Sequence, residues 1–125
     1  MTQQHTPTEE ATVAIRKWQA VLDMLRQENN LLKSRLTHYL QQDISKAFLE
    51  TAEYFHQRFL FKDQLMELLR HDITDLWQEI KTPVQVLKQH PHWETRYQTL
   101  EKDMDKLQTE FTLMKEAFDA HLQAH

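Results

Sequence analysis

Apolar residues recur at alternating intervals of three and four positions along three long stretches of this 125-residue chain. In the first stretch, Ile15, Trp18, Leu22, Leu25, Asn29, Leu32, Leu36 and Tyr39 keep that alternation unbroken, with one asparagine on the seam. The second reads Phe48, Ala52, Phe55, Phe59, Lys62, Met66, Leu69, Ile73, Leu76 and Ile80; the third reads Trp93, Tyr97, Leu100, Met104, Leu107, Phe111, Met114 and Phe118. Such spacing lines residues up on one stripe of an α-helix and repeats every heptad. Helices are therefore expected over about residues 8–41, 44–81 and 91–123. Three helices of similar length with short connections pack as antiparallel neighbours. The expected fold is all-α: an extended antiparallel three-helix bundle with coiled-coil (heptad) packing, one domain over residues 1–125.

The junctions carry their own signals. Thr8, followed by Glu9 and Glu10, offers a capping hydroxyl and two acids at the start of the first helix. Thr82-Pro83-Val84-Gln85 places a cap, a first-turn proline and a glutamine three after the cap, which predicts a short helical connector over about 83–89. That connector ends before Pro91, because a residue preceding proline avoids helical geometry. Between the first two helices, Asp43 or Ser45 is the candidate cap of a new helix. On one straight helix the seam ending at Tyr39 and the seam starting at Phe48 lie roughly 140–150° apart at 100° per residue. A turn lets both halves face one core and is favoured; a continuous helix through Leu36, Leu40, Ile44 and Phe48 is the alternative. An up-down-up path gathers Trp18, Trp77 and Trp93 at one end and Tyr39, Phe48, Phe111 and Phe118 at the other.

Composition narrows the chemistry. The chain has no glycine and no cysteine. Glycine-dependent phosphate loops, dinucleotide fingerprints, nucleophile elbows and tight hairpin turns are thereby excluded. So are disulfides, thiolate metal sites and cysteine nucleophiles. The net charge of −4 divides as +1 over residues 1–42, −3 over 43–81 and −2 over 82–125. No basic stripe offers electrostatic support for nucleic-acid binding. The polar start MTQQHTPTEEA is unlike a signal peptide, and no apolar run is long enough to cross a membrane, so a cytoplasmic location is expected.

Ala52-Glu53-Tyr54-Phe55-His56-Gln57-Arg58-Phe59, followed by Leu68-Leu69-Arg70-His71-Asp72-Ile73, resembles a group of small uncharacterised bacterial (Bacteroidetes-type) helical proteins. Their central pattern is E-x-F-Q-N-x-F…L-x-H-D-I after a tryptophan-rich helix. The chain departs from it at His56-Gln57-Arg58. The resemblance covers about a third of the chain, implies a polar break between the first two helices, and implies no activity.

Eight histidines invite a metal reading. Carboxylate-bridged metal bundles use Glu-x-x-His pairs projecting inward from facing helices. One such pair exists, Glu53 with His56, but Glu53 falls away from the seam, so a solvated surface pair is expected. His121 and His125 have the i, i+4 spacing that lets two imidazoles share a metal, near His38 and Asp43 at the same end. His71 projects to solvent, and Asp72 is expected to pair with a cation on a facing helix.

Asn29 is more telling, since a lone asparagine on a heptad seam costs stability and selects register or partner number. Within a monomer, Lys62 or Gln64 would be its partner. Phe61, Leu65 and Leu68 flank the second seam and widen it, either completing the core or forming a second interface. No catalytic residue or cofactor is expected. The sequence is read as a non-enzymatic helical interaction or scaffold module. Its partners are expected to be protein, a second copy (a homodimer) or another helix, with Asn29, Phe61, Leu65 and Leu68 as contact residues. A carboxylate–histidine metal bundle is the alternative.

Overall fold

A computed structural model of the chain describes residues 7–42, 45–82 and 93–124. They form three helices, α1 (Pro7–Gln42), α2 (Lys46–Lys81) and α3 (Trp93–Gln123). With 36, 36 and 31 residues, these are rods of about 46–54 Å at 1.5 Å per residue. Each runs antiparallel to the next, and α2 packs against both neighbours. The connector expected over 83–89 lies outside the described residues, as do Asp43, Pro91 and His125.

The seams are buried as the spacing requires. Every heptad residue named above is buried except Tyr39, Ile80 and Tyr97, which are half-buried. Ala11 and Leu122 extend the core by one step at either end. Burying these side chains on three amphipathic helices is the main favourable term in the fold, at about 25 cal/mol per Å² of apolar surface.

The first two helices are separate, as the phase difference demands. Ser45 is the N-cap of α2, with extended backbone (φ −61°, ψ 147°), and its Oγ accepts from the Phe48 N–H at 3.3 Å. At the start of α1, helix begins at Pro7, whose fixed φ suits a first helical position. Thr8 is thus inside the first turn rather than capping it, and its carbonyl accepts from the Thr12 hydroxyl at 2.8 Å. Thr82 closes α2: its N–H donates to Gln78 O and Glu79 O, and its hydroxyl donates to Gln78 O at 2.7 Å.

The two ends of the bundle differ in chemistry. At one end Tyr97 lies between Trp18 and Trp93, with ring centroids 5.3 and 6.4 Å away. Trp77 sits beside Ile15 and Gln19 at the same end. At the other, Phe118 meets Phe55 and Phe59 edge-on, each at 5.1 Å. His121 stacks there on Phe48 at 5.9 Å and lies tilted against Phe55 at 5.7 Å. Phe55, Phe59 and His121 thus join Phe48 and Phe118, while Phe111 is buried nearer the middle.

Candidate functional site

A polar layer crosses the middle of the bundle. Asn29 is wholly buried on the α1 seam. Its Nδ2 donates to the Phe59 carbonyl at 2.9 Å and to Asp63 Oδ1 at 2.8 Å. Two acceptors fix the orientation of the amide, leaving Oδ1 buried without a hydrogen-bond partner. The other Asp63 oxygen takes the Lys33 ammonium at 2.6 Å. Asn29 therefore bonds across to α2, but through Phe59 and Asp63 rather than the expected Lys62 or Gln64. Lys62 turns the other way. Buried on the α2 seam, it reaches Glu110 of α3 at 3.1 Å, and its ammonium lies 5.9 Å from the Phe61 ring centroid.

Outside this layer, an apolar stripe is left uncovered. Phe61 is 59% exposed, Leu68 63% and Tyr54 55%. They follow one another at seven-residue intervals on α2, so they share one line along the helix. Leu65 is half-buried and packs on the core. Leu113 of α3 is 60% exposed. Tyr54, Phe61 and Leu113 line a groove of about 580 Å³ between α2 and α3, whose wall includes Lys62 and Glu110. Arg58 covers part of the Tyr54 ring, 5.4 Å from its centroid.

The metal candidates are scattered. Glu53 and His56 are exposed and line a groove between α1 and α2, along with Lys33 and Leu36. His121 is half-buried among the phenylalanines, so its ring is engaged in stacking at one edge of the core. Among the described residues, the group whose ligand atoms converge is His71, Asp72 and Asp75, with one atom from each within 4.8 Å of the others. All three are exposed, and His71 Nδ1 lies 3.4 Å from Asp75 Oδ2. Arg96 of α3, which lines a groove with Asp72 and Asp75, pairs with Glu79 rather than Asp72.

Two titrations bear on the surface. The Glu67 carboxyl is held below its ordinary value by the hydrogen bond from Arg70. Burial pushes the Tyr97 phenol up, helped by Glu101 and Glu10.

Sequence reasoning missed Asp63, Lys33, Tyr54 and Leu113. Tyr54 carried a signal, its seven-residue offset from Phe61. The others carried none, because they lie off the seams.

The described chain is an all-α three-helix bundle, and no helix in it is long and apolar enough to cross a membrane. No family model, curated protein or solved structure matches it.

Proposed function

We propose that the chain is a non-enzymatic helical interaction module that docks a partner helix on the outer face of α2 and α3. The observation carrying this reading is the alignment of Tyr54, Phe61 and Leu68 on one line of α2, each more than half exposed, with Tyr54 and Phe61 lining the α2–α3 groove. An amphipathic helix laid in such a groove reads it through anchors one heptad apart. Scattered exposed leucines are ordinary; a contiguous aromatic and aliphatic stripe marks an interaction site. The absence of glycine fits the same reading, since the chain has no backbone suited to close approach by a phosphate or nucleotide.

The test is photo-crosslinking in cells with p-benzoyl-phenylalanine in place of Phe61, of Leu68, or of Lys17 on the exposed face of α1. Discrete adducts from positions 61 and 68, with a second copy or another protein, are the expected result. Adducts no different from those at position 17 would remove the reading.

A further inference from the structure

We infer that the helix docked on this face is α2 of a second copy, so that the protein pairs with itself in a two-fold, antiparallel arrangement. The inference rests on the docking reading and adds the identity of the occupant.

Geometry is the first argument. Tyr54, Phe61 and Leu68 span about 21 Å at 1.5 Å per residue, with Phe61 midway. A two-fold axis through Phe61 sets each Phe61 against its counterpart and each Tyr54 against the partner subunit's Leu68. An isologous interface requires this self-complementarity. Leu113 lies beside Phe61 across the groove, so the partner's helix meets apolar surface from both α2 and α3.

Area is the second. Tyr54, Phe61, Leu68 and Leu113 each expose 55–63% of their surface, or ~100 Å² apiece, given the ~150–250 Å² an aromatic residue can bury. Both copies together would bury ~800 Å² from these anchors alone, about two thirds of the ~1,200 Å² at which stable complexes begin, before any rim residue is counted. Gln57 and Gln64 flank Phe61 on that rim. Both are neutral; the charges of the groove are Arg58, which lies over the Tyr54 ring, and the Lys62–Glu110 pair.

Charge favours this orientation. His71, Asp72 and Asp75 follow Leu68 on α2 and are exposed. A parallel dimer would bring both acidic clusters together. The antiparallel arrangement sends them to opposite ends, beside the exposed Lys46 and Glu50 of the partner subunit, whose two charges cancel.

Sedimentation equilibrium across the micromolar range tests the pairing. The wild-type chain is expected at twice the monomer mass. Phe61→Glu and Leu68→Glu, each acting twice across the axis, should raise the dimer dissociation constant by about a hundredfold or more, with helical circular dichroism unchanged. Val13→Glu and Leu31→Glu, on the outer face of α1, should leave it unaltered.

Orientation is read by disulfide trapping, which the absence of native cysteine makes clean. A mixture of Tyr54→Cys and Leu68→Cys chains should form mixed disulfide dimers, and neither should form them alone. This trapping also decides the matter should a glutamate variant fail to fold.

A monomeric wild-type chain overturns the inference, as does a dimer broken by the α1 variants or one trapped only between like cysteines. A monomer that still crosslinks another protein from position 61 overturns the dimer and leaves the docking reading standing. A monomer without such adducts removes both.

Discussion

Asn29 and Asp63 are joined across the α1–α2 seam by a 2.8 Å hydrogen bond, and Lys33 holds the other carboxylate oxygen at 2.6 Å. Asp63 is partly exposed, so it keeps both lysine and water if the amide is removed. Asn29→Leu deletes a buried oxygen that has no hydrogen-bond partner and fills its place with methyl groups. Its melting temperature should rise in a thermal scan. Asn29→Asp sets a second carboxylate beside Asp63 in a buried site and should cost about 3 kcal/mol or more. A leucine variant that melts at or below the wild-type temperature would show that the two hydrogen bonds outweigh the unmet oxygen.

Lys62 and Glu110 form an asymmetric pair, with the lysine side chain 3% exposed and the glutamate 41%. Removing the buried charge costs little, because Glu110 is solvated. Removing Glu110 leaves a buried ammonium without its carboxylate. Lys62→Met should therefore be neutral or stabilising by ~1–2 kcal/mol, and Glu110→Ala destabilising by ~1–3 kcal/mol. Urea unfolding of the two variants checks the opposite signs.

Leu69 lies mid-seam on α2 and is 3% exposed. Leu69→Ala should cost about 2–5 kcal/mol through lost transfer energy and the cavity left behind. A loss below ~1 kcal/mol in chemical denaturation would mean that the helices close over the gap.

Burial raises the Tyr97 phenol above its unfolded value. The neutral form is favoured by folding, so this contribution is complete below the ordinary tyrosine value of about 10 and is lost as pH climbs through the folded value. Stability should fall in strongly alkaline solution. Tyr97→Phe, which cannot ionise, should lessen that fall between neutral and alkaline unfolding curves.

Periodicity made the core legible almost residue by residue. Whether a seam residue is buried depends on its own helix, and Asn29 and Lys62 went inside with their apolar neighbours because spacing, not polarity, set their side. Partners were less legible. Asp63 and Lys33 flank their seams, and their pairing is fixed by how α1 and α2 register against each other. The same holds at the phenylalanine end, where the stagger of α3 brings Phe118 to Phe55 and Phe59. Phe61 and Leu68 could equally have been core; only the position of α3 leaves them open.

Three passes are an odd number. Pro7 lies at the tryptophan end and Gln123 at the phenylalanine end, so the chain enters and leaves the bundle at opposite poles, about 45 Å apart by helix rise. The molecule is in that sense a strut. Tension between those poles would load the α1–α2 and α2–α3 seams lengthwise, in shear, and set every buried layer against the pull at once rather than peeling them open one by one.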